Sequence, residues 1–116
     1  MALRVVWRKK EKHMADPAIE VTDETTHGAY RADVEGTDVK AELTWKARSP
    51  VSQNGGTRIA DRTFTPPQAR GQGIARKLVE AMIADAREQG FKIVPQCPYV
   101  AALFRKNPDW ADLRAD

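Results

Sequence analysis

A chain of 116 residues is long enough for one hydrophobic core and too short for two. With 41% hydrophobic and 30% charged residues it has the balance of an ordinary globular domain, and no run nears the ~18 apolar residues of a membrane span. The net charge of +3 argues against a nucleic-acid-binding domain, because residues 1–14 set five cations (Arg4, Arg8, Lys9, Lys10, Lys12) against Glu11 and leave the remaining chain at −1.

Residues 1–15 therefore read as a basic tail. It is either a flexible arm for an acidic partner or, the preferred reading, a translated leader with Met14 as the genuine start. Its apolar run is too short for a secretory signal. Residues 16–116 form the domain. Ala18 to Thr22 alternates like a half-buried strand, Asp23 to His27 is turn-like, and Gly28 to Glu35 alternates again. Gly36-Thr37-Asp38 turns the chain into a third strand, Val39 to Arg48. Ser49 to Gly56, with Pro50, Asn54, Gly55 and Gly56, is a flexible connection. A fourth strand, Thr57 to Thr65, runs to Arg70-Gly71-Gln72-Gly73-Ile74-Ala75. There Ile74, Leu78, Met82 and Ala86 recur every four residues, with Ala75, Val79 and Ile83 beside them, and Gly90 ends the helix. Phe91 to Pro95 is a short strand, and Tyr99 to Lys106 is a second helix with cations at its C-terminal end.

Right-handed crossover places the Phe91–Pro95 strand parallel to Thr57–Thr65, with the first helix between them. The fold class is thus α+β: a mostly antiparallel five-stranded sheet with one parallel pair and two helices.

The strand–turn–helix junction at Arg70–Ala75 carries the chemistry. Two glycines one residue apart let successive N–H groups form a concave nest at the positive end of a helix, which suits phosphate. Arg70 and Gln72 add side-chain donors. A P-loop is excluded because Ile74-Ala75 stand where Lys-Ser/Thr is required, and a dinucleotide fingerprint because Arg76 fills its third small position. Cys97 is the lone cysteine, so no internal disulfide forms, and a reducing, cytoplasmic compartment is expected. It precedes Pro98 at the start of a helix, where a thiolate is stabilised. His13 and His27 have no clustered carboxylate or Cys company, so no metal is expected.

Arg70 to Ala75 resembles the Arg/Gln-x-x-Gly-x-Gly/Ala pattern of the GNAT superfamily of acyl-CoA-dependent N-acetyltransferases. The wider run Thr63 to Ala75, with Val94-Pro95-Gln96-Cys97-Pro98-Tyr99-Val100 and Arg105-Lys106-Asn107-Pro108-Asp109-Trp110, is similar to a branch of small single-domain predicted N-acetyltransferases bearing a Pro-x-Cys-Pro-Tyr segment. The likeness spans residues 18 to 112. It implies a GNAT-like fold whose parallel strands splay apart. The pantetheine arm of acetyl-CoA or CoA would lie in that gap on the backbone of Phe64 and Thr65. It implies pyrophosphate binding by Arg70, Gly71, Gln72, Gly73, Ile74 and Ala75. Arg76, Lys77, Arg105 and Lys106 become candidates for the 3′-phosphate. Cys97 falls near the acyl thioester, to orient the CoA sulfur or to accept the acetyl group itself. Tyr99 is the candidate proton donor to the departing thiolate.

No general base stands out, with Asp33, Glu42 and Asp61 as the carboxylates that strand parity leaves open. The helical pair that usually follows the first strand of full GNAT enzymes is missing, which leaves the acceptor surface undefined. The expected function is transfer of an acetyl group to an amine of a protein or small molecule. The alternative is a CoA-binding module with little turnover, and a third reading is double displacement through Cys97.

Overall fold

The computed structural model describes residues 18–48 and 56–115; the basic tail and most of the connection after Arg48 lie outside them. Four strands follow one another as an antiparallel meander: β1 (Ile19–Asp23), β2 (His27–Ala32), β3 (Ala41–Ala47) and β4 (Thr57–Phe64). A 3-10 turn at Pro67–Ala69 leads to helix α1 (Ile74–Gln89), which returns the chain to β5 (Lys92–Pro95). β5 pairs with β4 in parallel, giving sheet order β1-β2-β3-β4-β5. Helix α2 (Pro98–Lys106) and a 3-10 segment at Pro108–Leu113 complete the fold. The α+β class, the antiparallel meander and the single parallel pair agree with the sequence reading.

Two strands are shorter than alternation alone suggests, for one reason. β2 was expected to reach Glu35 and β3 to begin at Val39. Ala32 pairs with Ile19 on one side and Ala41 on the other, and past it neither neighbour offers a partner. The chain instead turns at Gly36, and Val39 is half exposed.

The meander carries its core on one face. Ile19, Val21, Tyr30, Leu43, Trp45 and Ala60 are buried there, against Leu78, Val79, Met82 and Ala86 of α1. The Tyr30 hydroxyl donates to Asp85 of α1 at 2.9 Å, which fixes that face as the one the helix covers. The opposite face is polar. Arg31 bonds Glu42 at 2.7 Å, and Asp61 accepts from Thr44 at 2.7 Å and faces Lys46 at 3.6 Å.

Gly28 sits where β2 passes under the Trp45 indole. A Cβ there would stand 2.3 Å from the Thr22 carbonyl oxygen and 2.5 Å from the indole ring, so backbone and ring would both have to move. Gly28→Ala is expected to destabilise the fold by about 2 kcal/mol through overpacking, read as a lower denaturation midpoint in urea at unchanged slope.

One irregularity matters for the site. Trp45 pairs with Ala60 and Thr44 with Arg62, so Asp61 is an extra residue, a bulge in β4. The bulge resets the alternation: Thr63 pairs with Leu43 and so points to the helix-covered face, whereas simple alternation from Ala60 would turn it outward.

Candidate active site

β4 and β5 stay paired only from Thr57↔Lys92 to Ala60↔Pro95. Beyond Pro95 the chain leaves the sheet: Gln96 bonds back to Val94, and the Cys97 N–H donates to the Ala60 carbonyl at 2.9 Å. β4 runs on to Phe64 without a neighbour on that side. The resulting gap continues into a groove of about 530 Å³, lined by Thr63, Phe64, Thr65, Ala69, Arg70, Gly71, Gly73, Ile74, Ala75 and Tyr99. Residues from four parts of the chain converge here: the end of β4, the glycine turn, the first turn of α1 and the start of α2.

The glycine turn has the geometry its sequence predicts. Gly71 (φ +85°) and Gly73 (φ +79°) both occupy the left-handed region, and a Cβ built on either meets nothing within 4 Å. The space beside them is therefore open to a ligand. Gly73 is the N-cap of α1, and no side chain caps that end, so the first-turn N–H groups face the groove at the positive end of a 16-residue helix. Nothing acidic stands in that first turn to compete for them. Arg70 braces the turn, its Nε donating to the Thr65 carbonyl at 3.1 Å, and Gln72 Nε2 donates to the Gln68 carbonyl at 3.1 Å. Gln72 is exposed beside the groove rather than in its lining.

The cationic candidates separate. Arg76 projects from the first turn of α1 and is held by Glu80 at 3.0 Å. Lys77 follows it on the same helix. Arg105 and Lys106 lie at the other end of α2 from Tyr99, roughly 9 Å along the helix axis, and take no part in the groove lining.

Cys97 is the N-cap of α2, with Pro98 in its first turn, and is 7% exposed. It stands one contact behind the groove lining: its Sγ is 3.3 Å from the Thr63 hydroxyl, and Thr63 is what the groove meets. Burial pushes the thiol up, but the Thr63 hydroxyl and the backbone N–H groups of Val100, Tyr99 and Thr63 outweigh it and hold the thiol below its ordinary value. Tyr99 is 37% exposed and does reach the groove. Its partial burial raises the phenol; Arg76 opposes that, and Glu80 and Cys97 add to it, so the group stays protonated above the ordinary tyrosine range.

Of the carboxylates, Asp61 and Glu42 share the helix-free sheet face, and Asp33 lies beyond the end of β2, paired with Lys40. None of the three lines the groove. Among the described residues no His/Cys/Asp/Glu group is arranged to hold a metal, and no described helix is long and apolar enough to cross a membrane. The sequence reading includes Thr63 in the run before the glycine turn but misses its contact with Cys97, because nothing in the local sequence announces a bulge at Asp61.

This architecture has a counterpart among known families. The family model described as GCN5-related N-acetyl-transferase matches residues 29–113, from β2 through the glycine turn and both helices to the C-terminal 3-10 segment. A match over so much of the chain, joined to a sheet whose one parallel pair separates in front of an uncapped helix, settles its kinship: the protein belongs to the GCN5-related N-acetyltransferase family, whose members are acyltransferases.

Proposed function

We propose that the protein moves an acetyl group from acetyl-CoA to an amine, with the donor lying in the groove between β4 and α2. The observation that carries this reading is the groove itself. It begins on an unpaired strand segment and ends on two left-handed glycines beside an uncapped helix N-terminus.

The parts match a coenzyme A arm in order. Amides of the pantetheine would pair with the backbone of Phe64 and Thr65 beyond the end of β5, as an added strand would, with the Thr65 carbonyl shared with Arg70. The pyrophosphate meets the N–H groups around Gly71, Gly73, Ile74 and Ala75, with Arg70 and Gln72 within reach at the turn and Arg76 one turn further. The acetyl thioester then falls toward Tyr99 and Thr63, with Cys97 behind. In the reaction the amine nitrogen bonds the acetyl carbon, the carbon–sulfur bond breaks, and the nitrogen's surplus proton leaves to solvent. The Tyr99 phenol, kept protonated by its surroundings, donates to the departing thiolate and is reprotonated from water. Direct attack in a ternary complex needs no acyl-enzyme, and Cys97, set behind Thr63, supports the reaction without carrying the acetyl group.

Two measurements test this. Acetyl-CoA at about a hundred times its Kd should add about 2.7 kcal/mol of stability and raise the melting temperature. If neither acetyl-CoA nor CoA moves the melting temperature at millimolar concentration, the reading is wrong. Incubation with acetyl-CoA and a panel of lysine peptides and polyamines should release CoA thiol together with an acetylated amine. Binding without any such product would reduce the protein to a CoA-binding module. In the same assay Tyr99→Phe should lower kcat about a hundredfold while leaving acetyl-CoA affinity within about twofold.

A further inference from the structure

The groove and the lone thiol do not touch directly; one hydroxyl stands between them. We infer that Thr63 is a positioning residue of this site, its hydroxyl fixing the orientation of the Cys97 sulfur directly behind the groove wall. The inference rests on the acetyl-transfer reading given above.

Three independent features place Thr63 in that role. The bulge at Asp61 turns its side chain to the covered face, without which the hydroxyl would point to the opposite side of the sheet. Its Oγ1 lies 3.3 Å from Cys97 Sγ, in a contact that either atom can donate. Thr63 lines the groove as well, so one residue meets both the ligand space and the thiol. The Cys97 backbone is pinned from the same strand through the Ala60 carbonyl, which leaves the sulfur little freedom except about its own side-chain bond.

The charged and titratable groups around the pair are few. Tyr99 follows on the same helix; Arg76 and Glu80 of α1 act on Tyr99, and none of the described charged groups is a leading influence on the thiol. On β4, Asp61 is engaged with Thr44 and Lys46 on the other face. Uncharged donors, the Thr63 hydroxyl and the N–H groups of Val100, Tyr99 and Thr63, therefore distinguish this sulfur from an ordinary buried cysteine, and the hydroxyl is the one a substitution removes. Valine matches threonine in shape and removes only the hydroxyl, so it is the substitution that tests this contact.

Because Cys97 is the single cysteine, labelling the full chain with ¹³C-cysteine yields one Cβ resonance that follows thiol ionisation. Thr63→Val is expected to move the ionisation midpoint upward and to cut the thiolate fraction at neutral pH roughly tenfold, the loss of one hydrogen bond to a charged group. Thr63→Ser should restore the wild-type profile, a rescue that a merely space-filling role would not produce. Should the valine variant fail to fold, Thr63→Ala replaces it. A titration unchanged by removal of the hydroxyl overturns the inference, as does failure of serine to restore it. Coenzyme A added to the wild-type protein reports separately on the underlying reading. If the thiol responds to Thr63 but CoA neither binds nor perturbs the Cys97 resonance, the positioning holds and the acetyl-transfer reading is what fails.

Discussion

Alanine at both Gly71 and Gly73 is expected to leave the fold standing and to weaken acetyl-CoA binding at least a hundredfold. The two effects separate because they have different origins. Holding an L-residue in the left-handed region costs about 1–2 kcal/mol per position, within the stability of a small domain. No protein atom lies within 4 Å of either added methyl group, so native packing is undisturbed. The methyl groups instead enter the open space beside the N–H donors, where the proposed diphosphate would come into contact. Each hydrogen bond to a charged oxygen is worth about 1.5–3 kcal/mol, and losing two exceeds the roughly 2.8 kcal/mol that corresponds to a hundredfold. Calorimetric titration with acetyl-CoA, paired with thermal denaturation of the free protein, measures both halves. Affinity retained in a folded double variant would remove the glycine turn from the site.

Arg58→Ala should cause the largest loss of stability, about 4 kcal/mol, measured by urea denaturation. Arg58 is a buried cation on β4, its guanidinium 4.0 Å from the Trp45 ring centroid and 4.1 Å from that of Phe91. It also meets Asp23 at 3.3 Å, tying β1 to β4 across the covered face. Truncation opens a slot between two aromatic rings and leaves Asp23 without this partner, and such losses lie at the upper end for single substitutions. Arg58→Met fills much of the slot and should recover about half of the loss. A methionine variant as unstable as alanine would show that charge, rather than packing, sets the effect.

Much of this molecule is legible in the sequence wherever a regular period meets a clear stop. Helix α1 is announced by the four-residue recurrence from Ile74 to Ala86 and by Gly90, whose left-handed conformation ends it. The parallel pairing of β5 follows from chirality once that helix is recognised. Arg58 was less legible: it reads as one more polar residue of a strand, and only the tertiary placement of Trp45 and Phe91 explains its burial. The 3-10 turns at Pro67–Ala69 and Pro108–Leu113 also escape, because three to six residues hold too little periodicity to register.

The site divides along the same line. The glycine turn is encoded locally, since its conformation is a property of Gly71 and Gly73 themselves. That Tyr99 would line the groove while Cys97 would sit behind Thr63 depends on where a bulge falls in β4, and a bulge is a matter of how two strands align. Arg105 and Lys106 illustrate the converse. Their charge invites a phosphate, but the axis of α2 carries them away from the groove.

The unpaired end of β4 has a consequence for how the protein would answer the proposed donor. From Asp61 to Phe64, β4 has no strand beside it on the side away from β3, because pairing with β5 ends at Ala60, and the Thr63 N–H turns to the Cys97 sulfur instead. A donor arm carrying amides would act as a short sixth strand and knit the sheet shut. Deuterium uptake along this stretch should then slow sharply on loading while the β1–β2 hairpin keeps its pace, so the coenzyme would finish the sheet as well as occupy it.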